Sequence, residues 1–444
     1  MIKLFLAAGV LAVALPGQAI AQTDVSPAPL ALTLEGALER GLGASHRLAE
    51  ATARQTAAES VVAQQHATKL PQLAAQAAYT RTNHVEEFGI RLPDNQLRVI
   101  YPDVPDNFVT RLDVRWPFYT AGRIAAMERA AQTEAAAMVD DVEALRADVR
   151  LEIIRAYWSL ATAIESARVI DVALLQTRAH LDDARNQLEA GLIGPSDVLT
   201  VEAQESRHRM LSIQAQVSRD VAEAELGRLI GEVPGTRIDP ISDLVPPASP
   251  ERNPEALVEA ARRERPERAA LVERVAAAEA RRVAALAGTK PTVALNGGYD
   301  YGRPNPRIFP RQDAWRGAWD AGISAIWPLF DGGRARAAAN EASASMRAVQ
   351  ARLAEFDAVL AVELRQRIRE LEASRSAIAA ADDAVRAATE ARRVAGARFV
   401  AGVATNTDVL VAQGAVLQAG LDRTQALANA RLAEARLARA MGAR

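Results

Sequence analysis

The octapeptide Trp116-Pro117-Phe118-Tyr119-Thr120-Ala121-Gly122-Arg123 returns 211 residues later as Trp327-Pro328-Leu329-Phe330-Asp331-Gly332-Gly333-Arg334, so the chain is one structural plan written twice. The same spacing carries Gly191 onto Gly402, Asp197-Val198-Leu199 onto Asp408-Val409-Leu410, Leu226 onto Leu437 and Gly231 onto Gly442. Ahead of the octapeptide the spacing is 220, pairing Pro71 with Pro291 and Tyr79 with Tyr299, and the first copy holds nine extra residues between Tyr79 and Trp116. An insertion confined to one interval predicts a surface loop between ordered elements. A period this long is a tandem duplication of a large unit, not a solenoid.

Residues 1–21 combine Lys3, an apolar run from Leu4 to Leu15 and Ala19-Ile20-Ala21, the pattern of a secretory signal peptide. Beyond it no stretch of about twenty apolar residues is free of charge, so entry into a membrane requires a closed β-barrel. With no cysteine, the sequence excludes disulfides and zinc-thiolate sites. A formal charge of −2 points to no nucleic-acid partner.

Within the first repeat (22–232), a helical stretch from Thr33 to about Lys69 stops at Leu70-Pro71. The period then switches to two: Leu73, Ala75, Ala77 and Tyr79 alternate with polar or small residues, and Phe108, Thr110, Leu112, Val114 and Trp116 face away from Arg111, Asp113 and Arg115. These predict a β-hairpin over 72–116, with an exposed loop over 82–107. A glycine-free rod follows over 123–190, roughly 100 Å at 1.5 Å per residue. It carries a heptad-like seam through Val142, Leu145, Val149, Ile153, Ala156 and Leu160. A turn at Gly191-Leu192-Ile193-Gly194-Pro195 precedes a return helix over 196–228. A Pro/Gly-rich linker at 233–253 leads to the second repeat (254–444): a helix, a hairpin over 292–327, a rod over 334–401 and a return helix over 405–441.

Four twisted strands cannot close on themselves, and an open edge facing lipid costs several kcal/mol per unpaired group. Two chains would give an eight-stranded barrel filled by side chains; three would give twelve strands and a passage. The strands alone also fit a soluble sheet whose apolar face is covered by helices.

The chain resembles the TolC-like outer-membrane efflux family. The resemblance is carried by Leu34-Glu35-Gly36-Ala37-Leu38, Lys69-Leu70-Pro71, Ala156-Tyr157-Trp158, Gly191-Leu192 with Asp197-Val198-Leu199, and the strand-to-rod motif at 327–334. It implies a mainly α fold with a transmembrane β-barrel: a homotrimer whose twelve strands, four per chain, sit in outer-membrane lipid and continue as a long α-helical barrel across the periplasm. It also implies service as the exit duct of a tripartite efflux or type I secretion system, with a periplasmic adaptor and an inner-membrane pump of RND, ABC or MFS type as partners.

The same resemblance puts the adaptor-docking tip turns at Gly191, Leu192, Gly194, Gly402 and Val403, and the periplasmic aperture at Asp197 and Asp408. It puts the strand-to-rod junction and aromatic girdle at Trp116, Pro117, Tyr119, Gly122, Trp327, Pro328, Phe330 and Gly333. Where the best-studied family member has a tyrosine and an arginine that help to hold the tip shut, this chain has Phe399 and Ala404, and a further acidic position falls on Val411, so closure here would rest on packing and the two aspartates. Each aspartate also fits as a first-turn residue of its return helix.

No cofactor, metal site or catalytic motif is expected. His46, His66, His84, His180 and His208 fall at no ligand spacing and read as surface or rod positions, and the rod carboxylates read as solvated. A soluble periplasmic coiled-coil scaffold or adaptor is the alternative function.

Overall fold

The computed structural model describes residues 29–247 and 254–443. The expected leader at 1–21 and part of the linker, 248–253, lie outside them. In chain order the elements are β1 Leu30–Leu32, α1 Leu34–Ala44, α2 His46–Ala67, β2 Gln72–Arg81, β3 Phe88–Arg91, β4 Leu97–Tyr101, β5 Asp106–Tyr119, α3 Arg123–Glu189, α4 Pro195–Ile230 and β6 Ile238–Pro240. The second half continues with α5 Pro254–Glu264, α6 Pro266–Leu286, β7 Thr292–Arg303, β8 Arg316–Ile326, α7 Arg334–Val400 and α8 Asn406–Met441. The rods α3 and α7 are 67 residues each, roughly 100 Å long. No helix among the described residues is long and apolar enough to cross a membrane.

The large sheet is antiparallel in the order β2-β5-β7-β8, so both repeats contribute a hairpin and the edges are β2 and β8. Its register pairs Arg111 with Gln76 and Asp300, and Leu112 with Ala75 and Tyr299. Because the strand period is two, this alignment segregates the faces. One holds Arg111, Asp113, Asn296, Asp300, Asp320 and Ser324; the other holds Leu73, Tyr79, Leu112, Tyr299, Trp319 and Ile323. Helices do not cover the apolar face: Trp319 and Ile323 are 76% and 73% exposed. The covered-sheet alternative therefore fails.

Several local expectations need correction. The stretch from Thr33 to Lys69 is two helices, because Ser45 is extended and its hydroxyl accepts from Leu48 N, capping α2. The helix expected from Pro254 breaks likewise at Arg265-Pro266, where proline sets a new N-terminus. The loop at 82–107 contains the β3–β4 hairpin, turned at Asn95 with φ +65°. β5 runs past 116 to Tyr119 by way of a register shift after Pro117, which has no amide hydrogen to give the ladder.

The stretch expected as a linker is partly built into the core. Its β6 pairs in parallel with β1, and Leu32, Ile238, Ile153, Leu160 and Leu226 pack as one buried cluster. Tyr157 sits fully buried at its centre. Its hydroxyl donates to Leu32 O (3.0 Å) and accepts from Ser242 N (3.0 Å), tying rod, first strand and connecting strap together. Tyr157→Phe is expected to leave Ser242 N unsatisfied, while Leu32 O keeps its bond from Ile241 N (3.0 Å), and to destabilise the protein by about 1–3 kcal/mol, read as a lowered midpoint in denaturant unfolding of the detergent-solubilised chain.

Candidate functional site: the two ends of the rods

At the sheet end, each rod begins at a left-handed glycine, Gly122 (φ +84°) or Gly333 (φ +88°). Such a φ suits glycine, and it lets the chain turn sharply from strand into helix. The tryptophans of the repeated motif fix that corner. Trp116 Nε1 donates to Lys69 O (3.0 Å) and Trp327 Nε1 to Thr289 O (3.2 Å), each bond joining the exit of one strand to the backbone just ahead of the strand beside it. Trp327, Leu329 and Phe330 are largely exposed, as are Phe118 and Tyr119. Toward the other end of the sheet, Tyr79, Phe108, Trp315 and Tyr301 form a second aromatic row with ring centroids 5.0–5.8 Å apart. From Phe108 to Trp116 the strand rises roughly 26 Å.

The polar face of the sheet is laced by ion pairs. Arg111 meets Asp113 (2.6 Å) and Asp300 (2.6 Å), while Arg307, from the β7–β8 loop, reaches Asp300 (3.0 Å) and Asp320 (2.7 Å). Gly298 lets the Arg111 guanidinium lie flat, since a Cβ there would stand 2.5 Å from it.

At the opposite end both rods close with the same C-terminal motif. Gly191 and Gly402 adopt φ +71° and +73°; Leu192 N donates to Gln187 O and Val403 N to Arg398 O, both at 2.9 Å. Leu192 and Val403 protrude into solvent. Gly194 and Thr405 then start the return helices. Asp408 Oδ2 accepts from Thr405 N and Oγ1 (both 2.8 Å), and Thr405 Oγ1 accepts from Asp408 N (3.2 Å). Asp197 Oδ2 accepts from Gly194 N (3.2 Å), only half of that arrangement because glycine offers no hydroxyl. The Thr405 hydrogen bonds, backbone first, hold the Asp408 carboxyl below its ordinary value of 3.8.

A contact absent from the sequence reading joins the two turns. Asn406 Oδ1 accepts from His180 Nε2 (2.5 Å), and Asn406 Nδ2 donates to Asp197 O (3.0 Å). The His180 ring also meets the Phe399 edge at 5.5 Å. This links α3, α4, α7 and α8, with His180 and Asn406 both buried. His208, read as one more rod position, is buried as well and bonded to Thr177 (2.9 Å) and Gln204 (2.8 Å); burial lowers its pKa. Not all rod carboxylates are solvated either. Glu205 is 4% exposed, and its hydrogen bonds to Arg209 and Arg178 lower its pKa.

Two measurements follow from the tip geometry. Asn406→Ala is expected to orphan His180 Nε2 and to remove the side-chain bond to Asp197 O, at a cost of about 1–3 kcal/mol, seen as faster amide exchange in both turns at once; a response in one turn alone would contradict the link. A depressed carboxyl gives stability that is complete above its unfolded value and lost as pH falls through its folded value. Protection of the Thr405 amide should therefore hold at neutral pH and disappear only below about 3.8, and in Asp408→Ala it should be low throughout.

Comparison with known proteins places these two ends in context. The chain is 28% identical over 308 residues to Protein CyaE of Bordetella pertussis; the match takes in 68% of this chain and spans 61% of the length of CyaE. In structure it superposes on the outer-membrane channel OprN with a TM-score of 0.78 at 21% identity, over 93% of this chain and 90% of that one. The outer membrane protein VceC of Vibrio cholerae gives 0.77 at 23% identity, over 92% and 96% respectively. The outer membrane efflux protein family matches residues 37–232 and 257–443, one segment in each repeat, and the chain belongs to that family.

Proposed function

We propose that three copies of this chain pool their sheets into a twelve-stranded outer-membrane barrel, continued by their rods as a hollow periplasmic duct. The observation that carries this is the two-faced sheet with unpaired edges. Its apolar face is bounded by aromatic rows roughly 26 Å apart, which matches the lipid-facing band of an outer-membrane barrel. Its other face is polar, as a water-filled lumen requires. The chain is a passive conduit, the exit channel of a tripartite efflux or type I secretion system, coupled to a periplasmic adaptor and an inner-membrane pump. The exposed Leu192 and Val403 turns, with Gly191, Gly194 and Gly402, are the adaptor-docking surface.

At the tip, three chains bring Asp197 and Asp408 together around the aperture. Both carboxylates cap helices, and the same groups shape the aperture's field. Trp116, Pro117, Tyr119, Trp327, Pro328 and Phe330 form the periplasmic-side girdle, with Gly122 and Gly333 as the corner hinges. The uncovered apolar face disfavours a soluble scaffold.

Reconstituted in planar bilayers, the protein is expected to give discrete channel openings that trivalent cations block from the tip side. Asp197→Asn with Asp408→Asn keeps an acceptor at each cap while removing the charge, and should weaken that block at least about tenfold. Unchanged block would remove the aspartates from the aperture.

A further inference from the structure

Where the sheet meets the rods, a cavity of about 800 Å³ opens on the polar face, and four arginines from four elements line it: Arg115 of β5, Arg123 of α3, Arg281 of α6 and Arg334 of α7. None of its lining residues is acidic. Arg281 pairs with Glu134 (2.7 Å). Arg115, Arg123 and Arg334 make no ion pair or side-chain hydrogen bond among the described residues. That sets them apart from Arg111 and Arg307 on the same face, which are matched to Asp113, Asp300 and Asp320.

The carboxylates around the cavity are already engaged. Glu128 takes Lys69 and His66, and Asp331, three residues before Arg334, accepts from Ala335 N (2.8 Å) and Gly333 N (3.0 Å) at the start of α7, with the Arg334 charge acting on it without a hydrogen bond. Arg123 and Arg334 are also the first residues of their rods, with no acid in either first turn. A cation there opposes the positive end of the helix dipole, where an anion would be favoured. The arrangement occurs in both repeats, so it doubles within one chain. Thr68, Gln72, Thr120 and Ser324 add uncharged polar groups to the lining.

We propose that this collar is a binding site for multivalent anions, phosphate- or carboxylate-bearing solutes, on their way through the waist of the duct. Three guanidiniums with no side-chain hydrogen bond offer forked donors to oxyanions, and the volume lies in the range that holds a small-molecule ligand. The assignment deepens the proposed conduit and rests on it, since the polar face is the lumen wall only in the closed barrel.

The test is calorimetric titration of the full-length, detergent-solubilised protein with inorganic tripolyphosphate, with citrate and spermine in parallel. Saturable tripolyphosphate binding is expected, weakened at least about tenfold by Arg115→Gln, Arg123→Gln and Arg334→Gln combined, and kept by the three corresponding lysine changes. Citrate binding at the same site extends the class to polycarboxylates; its absence narrows the class to phosphates. No saturable binding by the wild type, equal binding by the glutamine variant, or spermine binding that competes with tripolyphosphate would overturn the site. Channel openings recorded on the same preparations separate the two readings: their presence without anion binding sinks only the collar, and their absence sinks the conduit.

Discussion

The unpaired edges of the four-stranded sheet govern everything else in this molecule. β2 and β8 each present a row of backbone groups with no strand partner among the described residues. In water such an edge invites aggregation; in lipid each group costs several kcal/mol. The apolar face is equally demanding, because the helices leave it bare. Both needs are met at once by a closed ring of sheets set in a membrane, and no arrangement of one chain meets either.

The rods follow from that ring. Each strand pair must hand over to a helix at a fixed angle, and the duplicated corner does this with two successive left-handed residues, Ala121-Gly122 or Gly332-Gly333, and one indole hydrogen bond per repeat. Trp116 and Trp327 therefore staple each corner to the neighbouring element, and in the proposed barrel the same rings would lie at the membrane interface. At the far end the duplication relaxes: Thr405 completes a cap that Gly194 leaves half made, and Asn406 reaches across to the first repeat. Two turns that began as copies have become complementary partners.

How much of this was legible depended on length and period. The repeat, the rods and the strand faces were readable, because ten to sixty-seven residues of regular periodicity leave a clear pattern. β1 and β6, three residues each, are too short to show one, yet their pairing turns an expected linker into part of the core. The helix breaks at Ser45 and Pro266 were written in capping chemistry but lay inside alanine-rich runs that read as continuous. The His180–Asn406 link joins residues 226 apart and depends on how the rods lie side by side. No local spacing encodes it. Arg123 and Arg334 were visible in the repeated motif, but that they and Arg115 come together with no hydrogen-bonded carboxylate emerges only in three dimensions.

Intersubunit disulfide trapping bears most directly on the closed ring. The chain has no cysteine of its own, so single cysteines can be placed on the polar face of each edge, at Ala74 or Ala78 in β2 and at Ala318 or Gly322 in β8, and oxidised in outer-membrane preparations. A disulfide needs Cα atoms within about 7 Å, so only edges that pair between copies can link. The account expects at least one combination to yield a covalent ladder ending at the trimer. Monomer in every combination, or a ladder that stops at the dimer or runs past the trimer, would contradict it.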